Sequence, residues 1–348
     1  MGDSGTINDV ARRANVSVAT VARARNGHSN VTEGVRKRVL AAAEELRYTP
    51  HHAARSLSSR RTRTIGVVLP DLHGEFFSEL VRGIDQAARR HGLHLLVSSY
   101  HGNPAEQATA LRTMRGRVDG LLVMSPFLGD TAPLRDNLTA AIPAVLVNTR
   151  IDAGPCGTLG IDNYRGARAM VRHLVDTGRR RIAFIAGPED NYDAHERERG
   201  YRDELAASLP GTTPRVLRGD FGEASGHAAA QEMLRAAELP DAVFAANDMM
   251  ALGCLFALGQ AGVRVPGDVA LAGFDDIPLA RYVHPALTTL RVDIAALGER
   301  AMELLQRRIA GGAPAGPQPL IAPEPILRDS TATPRTDHRS TPPGGTHP

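Results

Sequence analysis

The sequence is poor in cysteine, and its apolar runs are short. Among the 348 residues the cysteines are Cys156 and Cys254, too few and too far apart for a disulfide framework or a cysteine metal cluster. Two isolated cysteines suit a reducing compartment. Apolar runs such as residues 268–274 are far shorter than the roughly 20 residues that cross a bilayer. We therefore expect a protein without a membrane segment.

Signals for secretion and for common enzymes are also missing. Residues 1–10 are polar and lead into a helix pattern, without a charged segment followed by an apolar one. This predicts a cytoplasmic location. No HExxH, GxSxG, P-loop or GxGxxG motif occurs, and the thirteen histidines show no metal-ligand spacing. His51 and His52 are neighbours that we expect to meet DNA or solvent. We predict no catalytic residue, no metal and no cofactor.

The net charge of +3 conceals an uneven distribution along the chain. Residues 1–64 carry 12 Lys and Arg against 5 Asp and Glu, whereas the remainder carries 29 against 33. A basic head on a mildly acidic body suggests that the head binds a polyanion. By charge alone, a solvated basic surface explains the pattern equally well.

The basic head has the spacing of a helix-turn-helix. A helix begins after Thr6, in a capping-box pattern with Asp9, and ends near Asn15, a residue that tolerates the left-handed conformation. A second helix begins at Ser17 after about three residues. A third helix begins at Thr32 and ends before residues 48–50. The alternative is a three-helix bundle with polar caps and no DNA function.

In a helix-turn-helix the second helix enters the major groove with its N-terminal end. This places Val18 and Ala19 for apolar contact with bases, and Arg23 for a guanine or a phosphate. The other predicted DNA-binding residues of the three helices are polar ones suited to phosphate or helix-start contacts: Thr6, Ser17, Thr20 and Asn26.

From residue 64 onward, apolar strands alternate with amphipathic helices. Strands are predicted at 64–70, 93–98, 120–124, 144–148, 182–186, 215–218, 242–246, 269–274 and 319–322. Helices are predicted at 76–91, 105–114, 133–141, 165–177, 195–207, 224–237, 249–261 and 294–310. Alternation of this kind predicts an α/β fold with parallel sheets flanked by helices, here in two similar lobes. The last helix and strand are expected to cross back between the lobes.

Ligands of parallel sheets bind at the carboxyl ends of the strands. The polar residues at those ends are Asp71, His73, residues 148–150, residues 247–248 and residues 275–276. Polar groups at strand ends in two facing lobes suggest a cleft for a hydroxylated ligand. Each pair has a plainer explanation, because Asn247–Asp248 and Asp275–Asp276 also suit the capping of helices or turns.

The head resembles the LacI/GalR-type bacterial transcriptional regulators, the lactose-repressor family. The resemblance rests on TINDVARRANVSVATVARARNG and VTEGVRKRVLAAAEELRYTPHHAARSL, and later motifs extend it almost to residue 330. It implies that Val18, Ala19 and Arg23 read bases and that a hinge helix at about 51–58 enters the minor groove. On that helix, Ala53 and Ala54 would contact DNA and Leu57 would be the apolar wedge.

The same resemblance implies a body like the periplasmic binding proteins. ERERGYRDEL, GDFGEASGH, AANDMMALG and AGFDDIP are similar to the family's ligand-contacting motifs. They imply ligand contacts by Arg197, Phe221, Asn247 and Asp275. Carboxylate and guanidinium suit ring hydroxyls, and Phe77 with Phe221 suits an apolar ring face. The complete predicted effector set is Asp71, His73, Phe77, Asn148, Arg150, Arg197, Phe221, Asn247 and Asp275.

Two residues depart from the family pattern. Family members usually have Ser where this chain has Ala22, and an aliphatic residue where it has Arg25. Ala22 removes one expected phosphate contact. Arg25 is expected either to loosen the small core of the head or to add a phosphate contact.

We therefore expect a DNA-binding head at 1–60, a two-lobed ligand-binding and dimerisation domain at 61–330, and a disordered tail at 331–348. Lobe 1 would comprise 64–161 with 291–321, and lobe 2 would comprise 162–290 with 322–330. The expected function is a repressor that acts as a homodimer on a near-palindromic DNA operator and is controlled by a small molecule, by default a carbohydrate. The alternatives are a purine- or metabolite-responsive regulator, a solute-binding protein of an uptake system, and an enzyme on an α/β scaffold.

Overall fold

The computed structural model describes residues 5–25, 30–48, 61–129, 131–138, 142–149, 156–312 and 319–332. The chain forms two compact units, Met1–Thr62 and Arg63–Pro348. We call the first unit the head and the second the body.

The head contains the predicted helix-turn-helix. Its helices are α1 (Ile7–Ala14), α2 (Val18–Arg25) and α3 (Glu33–Glu45). Thr6 and Asp9 form a capping box at the start of α1, and Asn15 ends that helix in the left-handed conformation with φ of 51°. Val10, Val21 and Val39 are fully buried where the helices meet. The spacing of apolar residues thus packs three short helices around one small core.

The body contains two parallel sheets, each of which defines a lobe. The strands are β1 (Thr64–Leu69), β2 (His94–Ser99), β3 (Gly120–Met124), β4 (Ala144–Val147), β5 (Gly157–Leu159), β6 (Ile182–Ile185), β7 (Arg215–Leu217), β8 (Ala242–Ala245), β9 (Ala270–Ala272), β10 (Thr289–Arg291) and β11 (Glu324–Ile326). Lobe 1 has the strand order β2-β1-β3-β4-β5, and lobe 2 has the order β7-β6-β8-β9. A separate antiparallel pair joins β10 to β11.

Helices pack against the sheets of both lobes. They are α4 (Glu75–Arg90), α5 (Pro104–Met114), α6 (Ala132–Asn137), α7 (Asn163–Asp176), α8 (Tyr192–Ser208), α9 (Glu223–Arg235), α10 (Asp248–Gln260) and α11 (Ile294–Ile309). Helix α11 packs against α4, β3, β4 and β5, so the chain returns to lobe 1 after lobe 2 is built. The α/β fold with two lobes of parallel sheet is confirmed.

The core follows from strands that are apolar on both faces. In β1, Ile65 and Val67 belong to the large cluster shared with lobe 2, whereas Val68 joins a second cluster with Leu111 on the opposite face. This alternation is what a parallel sheet covered by helices on both sides requires.

The prediction of the last strand was wrong. Within 319–322, Ile321 makes a single parallel bridge to Ile161, and the strand itself is β11, which pairs with β10. Pro325 lies in the middle of β11, and proline within a run argues against a strand when only the sequence is read. The sequence also gave no signal for β5 and β10, which are three residues long.

The predicted tail begins too early. Ser330 and Thr331 are buried, and the Ser330 hydroxyl donates to Leu271 O at 2.6 Å. The Thr331 and Thr288 hydroxyls lie 2.8 Å apart. These bonds hold the segment against lobe 2, so the body extends to at least Thr331. Residues 333–348 lie outside the described residues.

None of the helices in the described part of the chain has the length and apolar character needed to span a bilayer.

Candidate DNA-binding and effector sites

The predicted base-reading residues lie on the exposed face of α2. Val18 is 39% exposed, and Ala19 and Arg23 are also exposed. Arg23 Nε donates to Ala19 O at 3.3 Å, which holds the guanidinium along the helix surface. The helix thus presents two small apolar side chains and one guanidinium, the chemistry expected of a groove-reading surface.

The predicted polar residues of the head cap helices. The Ser17 hydroxyl accepts from Thr20 N at 3.1 Å and lies 2.9 Å from Thr20 Oγ1. The Thr6 hydroxyl donates to Asp9 Oδ2 at 2.6 Å. Ser17 and Thr6 are exposed, so each hydroxyl remains available for a further contact while it caps its helix.

Arg25 does not disrupt the core of the head. Its guanidinium carbon lies 5.5 Å from the centre of the Tyr48 ring, and the side chain is half-buried at the edge of the three helices. The cation–π contact thus accommodates an arginine at a position where the family resemblance predicts an aliphatic side chain.

Five predicted site residues lie outside the described residues: Asn26, Ala53, Ala54, Leu57 and Arg150.

A cavity of about 430 Å³ lies between the two lobes of the body. Lobe 1 contributes three of the predicted effector residues to its wall: Asp71, His73 and Phe77. Lobe 2 contributes four others: Arg197, Phe221, Asn247 and Asp275. The volume suits a small ligand such as one or two sugar rings.

Arg197 is the centre of the polar wall in lobe 2. It is only 4% exposed, and its Nε donates to Asn163 Oδ1 at 2.8 Å. Nη1 donates to Ala246 O at 2.5 Å, and Nη2 lies 3.3 Å from Asp275 Oδ1. The guanidinium carbon stands 3.7 Å from the centre of the Phe274 ring. These contacts fix the orientation of the guanidinium before any ligand binds.

Asp275 combines burial with a strained backbone. Its φ is 110°, a value that L residues rarely adopt, and backbone bonds to the chain around β10 hold it there: Asp275 N donates to Leu290 O at 2.8 Å. Burial raises the pKa of Asp275 to about 6, although the charge of Arg197 lowers it. Oδ1 has no aligned hydrogen bond despite the nearby guanidinium. It is therefore a buried acceptor suited to a ligand hydroxyl.

A second buried carboxylate, Asp193, was missed by the sequence reasoning. It lines the cavity and accepts from Asn163 Nδ2 at 2.9 Å and from Asn148 Nδ2 at 3.1 Å. Burial raises its pKa to about 6, and the Arg197 charge again opposes the rise. The feature of the sequence that could have identified Asp193 is its position four residues before Arg197, because that spacing places both side chains on one face of α8.

Asn148 contacts a residue of the cavity wall, Asp193, without lining the cavity itself. Its amide nitrogen is used by Asp193, and it does not belong to the cavity wall. The buried Asn148 Oδ1 has no hydrogen-bond partner, and the residue has a φ of 44°. Its observed role is to hold Asp193.

Asn247 and Phe221 form one unit at the edge of the cavity. Asn247 Oδ1 accepts from Met250 N at 3.0 Å and caps α10, which is the helix-capping role that the sequence offered as the alternative to ligand binding. Its Nδ2 donates to Phe221 O at 2.9 Å. Phe221 has a φ of 73°, so the Asn247 amide helps to hold a strained aromatic residue over the cavity.

Lobe 1 meets lobe 2 around the cavity. Asp71 Oδ1 accepts from His73 N at 3.1 Å and shapes the loop after β1. His73 Nε2 lies 3.4 Å from Glu223 Oε2 of lobe 2. Glu75 Oε2 accepts from Leu279 N at 3.0 Å. Polar contacts that cross between the lobes can change when the cleft opens or closes.

The neighbours Asp248 and Asp276 stabilise the fold and do not line the cavity. Asp276 is buried and accepts from Arg291 Nε at 2.7 Å and from Arg328 Nη2 at 2.6 Å. Asp248 accepts from the Thr289 hydroxyl at 2.6 Å. Burial raises the pKa of Asp248 well above its ordinary value. Each acidic or amide pair of the sequence thus divides into one residue at the cavity and one in the core.

Among the described residues, no group of three or more His, Cys, Asp and Glu side chains is arranged to hold a metal ion.

Two family descriptions match the chain. "Bacterial regulatory proteins, lacI family" matches residues 6–51, and "Periplasmic binding protein-like domain" matches residues 171–331. GalR of Salmonella typhimurium strain LT2 is 36% identical over 340 residues, which is 97% of this chain and 99% of GalR. The repressor CytR of Escherichia coli K12 is 34% identical over 330 residues, 94% of this chain and 96% of CytR.

Solved structures of similar proteins extend over both units of the chain. The Lac repressor dimer bound to operator and the anti-inducer ONPF matches with a TM-score of 0.84 and 30% identity, over 94% of this chain and 99% of that one. A complex of the transcriptional regulator CelR with cellobiose matches with a TM-score of 0.69 and 32% identity, over 94% and 99% of the two chains.

A helix-turn-helix head followed by a two-lobed body with a ligand-sized cleft defines a ligand-responsive, DNA-binding transcriptional regulator. The relatives extend over nearly the whole chain, and those compared are transcriptional regulators. The chain belongs to the lacI family of bacterial regulatory proteins.

Proposed function

We propose that this protein is a cytoplasmic repressor whose operator affinity falls when a sugar or sugar derivative binds in the cleft between the lobes. The observation that carries the proposal is the buried pair of Arg197 and Asp275 in the cavity wall, with Asp275 Oδ1 lacking a hydrogen bond. A fixed guanidinium beside a carboxylate acceptor gives paired, charge-assisted bonds to ring hydroxyls. Phe77 and Phe221 supply the apolar surface for a ring face.

The assignment of the other predicted effector residues follows their geometry. Asp71 and His73 would contact the ligand from lobe 1, and Asn247 would act mainly by holding Phe221. Asp193 joins the direct contacts, whereas Asn148 acts through it. We propose that the protein releases its ligand unchanged, as expected of a regulator rather than an enzyme.

We propose that the protein acts as a homodimer on a near-palindromic operator. Large apolar side chains are exposed on the body: Leu96 and Val97 on the edge strand β2 are 37% and 36% exposed, and Phe256 and Tyr282 are 63% and 76% exposed. Exposed apolar groups of this size suit burial against another chain. A solved relative, the Lac repressor, forms a dimer on its operator, which supports a second copy as the partner.

We propose that residues 1–60 bind DNA, including a hinge segment at about 51–58 with Ala53, Ala54 and Leu57. Residues 61 to about 332 would bind the ligand and the second copy. Lobe 1 would comprise 64–161 with 291–321, and lobe 2 would comprise 162–290 with the segment that follows residue 321.

DNA affinity should depend steeply on salt. Residues 1–64 carry seven more basic than acidic side chains. If about six of them contact phosphates, released counterions should lower the affinity about 1000-fold between about 50 and 200 mM salt. Fluorescence anisotropy of the full-length protein on duplex DNA measures this. The exposed Arg235→Ala variant, in α9 of the body, should show the same slope. A flat dependence on salt would exclude an electrostatic role for the head.

Arg23 should determine one base position in each half-site. Because Arg23 lies exposed on α2, Arg23→Ala should cost about 1–3 kcal/mol of operator binding and relax the preference at one position. Selection from DNA with randomised half-sites measures that preference. Arg12→Ala is the matched control, since Arg12 is an exposed arginine of α1 that pairs with Asp9 at 3.3 Å. Equal weakening of all sequences by Arg23→Ala would mean that Arg23 contacts phosphate.

A further inference from the structure

We infer that the cavity selects uncharged, polyhydroxylated ligands and rejects their phosphorylated or carboxylated forms. The inference rests on the proposed function, because it takes the cavity to be the effector site. It adds the charge of the effector, which the family assignment leaves open.

The wall of the cavity is acidic. Four carboxylates line it, Asp71, Asp193, Asp220 and Asp275, and the basic side chains among the described lining residues are one arginine, Arg197, and two histidines, His73 and His101. Two of the carboxylates, Asp193 and Asp275, are less than a tenth exposed. An anion that enters this cavity therefore loses its hydration next to carboxylates, where like charges repel strongly.

The charge of Arg197 is already shared between the two buried carboxylates. Nη2 lies 3.3 Å from Asp275 Oδ1, and the same charge stabilises ionised Asp193. Nε and Nη1 are engaged by Asn163 and by Ala246 O. Protein groups thus use part of the guanidinium, and its Nη2, which remains for a ligand, lies beside the Asp275 carboxylate, an arrangement that favours a hydroxyl over an anion.

Carboxylates of the protein lie in the first turns of the helices around the cavity. A helix N-terminus is the usual phosphate site of α/β proteins, because its free N–H groups and dipole favour an anion. Here the first turns of the relevant helices carry carboxylates of the protein itself: Glu75 in α4, Asp193 in α8, Glu223 in α9 and Asp248 in α10. The side chains of Asn191 and Asn247 also cap α8 and α10 by accepting from Ala194 N and Met250 N, whereas α4 and α9 have no side-chain cap, so that Glu75 and Glu223 are what opposes an anion there.

The buried polar atom of the cavity wall that remains for a ligand is an acceptor. Asp275 Oδ1, in the cavity wall, makes no aligned hydrogen bond, although Arg197 Nη2 lies 3.3 Å from it. Hydroxyl groups supply donors to such acceptors, whereas phosphate and carboxylate groups supply only acceptors. The sensed molecule is therefore the free polyol, which a hydrolase or a transporter must supply and which a kinase or an oxidising enzyme would remove from detection.

Matched ligand pairs test this inference. The full-length protein is titrated by calorimetry at pH 7.5 with hexoses and disaccharides, with their 6-phosphates and sugar acids, and with nucleosides and their monophosphates. In every pair of which one member binds, the neutral member should bind at least about 100-fold more tightly than the charged member. The reason is that like charges placed next to each other in a closed site repel strongly. A charged member that binds as well as its neutral partner would overturn the inference. It would not contradict the proposed function as a ligand-controlled repressor.

Two further outcomes separate this inference from the proposed function. Binding of a nucleoside but of no carbohydrate would refute the sugar effector, while the nucleoside–nucleotide pair would still decide the charge preference. Binding of no neutral ligand at all would overturn the inference.

A charge-removing variant tests the cause. Asp220 lies exposed in the cavity wall and accepts from Gly222 N at 2.8 Å, a bond that an asparagine oxygen can keep. Asp220→Asn should narrow the ratio of neutral to charged affinity by about threefold, as expected for one partly screened charge. Glu232→Gln, an exposed change in α9 away from the cavity wall, should leave the ratio as it is. An unchanged ratio in Asp220→Asn would contradict the electrostatic explanation.

Discussion

Asp275→Asn should abolish the ligand response while the protein continues to bind its operator. Asp275 Oδ1 is a buried acceptor in the cavity wall, beside a guanidinium whose other contacts are fixed. An amide keeps the shape of the side chain but loses the charge that attracts hydroxyl donors. The affinity for the effector should fall by about 2–4 kcal/mol, the range for losing one partner of a buried charged hydrogen bond. Calorimetry gives the affinity, and anisotropy on operator DNA gives the response.

Arg197→Ala should show the same loss together with a less stable fold. Without Arg197, Asp193 and Asp275 remain buried without their shared positive charge, which should lower the free energy of unfolding by about 3–5 kcal/mol. Urea denaturation distinguishes this loss from an effect on binding alone. Glu238→Gln is the control, since that carboxylate is 71% exposed and pairs with Arg181 on the surface of the same lobe. A normal response in both Asp275→Asn and Arg197→Ala would mean that the effector binds elsewhere.

Gly253→Ala should destabilise the body by about 3 kcal/mol, at the upper end of the cost of overpacking a core. A Cβ at Gly253 would lie 1.9 Å from Glu223 O, so α9 and α10 touch through their backbones at this point. The two helices would have to move apart. That movement would also strain the bond from Asn247 Nδ2 to Phe221 O, which joins the N-terminal ends of the same helices beside the cavity.

The same helix provides a control for this prediction. Gly259 also lies in α10, but a Cβ there would meet nothing within 4 Å. Gly259→Ala should therefore stabilise the protein by up to about 1 kcal/mol, because alanine is the better helix former. Thermal and urea unfolding of both variants measure the difference. Equal stabilities for Gly253→Ala and Gly259→Ala would show that the close approach of the helices is not needed.

The sequence predicted the fold where local patterns were long and regular. Helices such as α4 and α8 and strands such as β1 and β3 follow from apolar periodicity and appear within a few residues of their predicted bounds. The three-residue strands β5 and β10 gave no such signal, because their stability comes from pairing with distant segments. Pro325 concealed β11, because proline within a run argues against a strand when only the sequence is read.

The candidate site was predictable only in part. Arg197 and Asp275 follow from the motifs around them, and the structure places both in one cavity wall. The importance of Asp193 depends on tertiary burial and on Asn148 and Asn163, which lie far from it in the sequence. The different roles of Asp275 and Asp276 likewise depend on Arg328, which reaches Asp276 from near the end of the described chain.

The central claim is that a ligand in the cleft controls DNA binding by the head. The most direct test is the affinity of the full-length protein for an operator selected from random DNA, measured by anisotropy with and without a saturating neutral effector. The effector should weaken binding about tenfold or more, a coupling free energy of at least about 1.4 kcal/mol, and chromatography should recover it unchanged. In Asp275→Asn the two affinities should coincide. An operator affinity that the bound effector leaves unchanged in the wild-type protein would contradict the account.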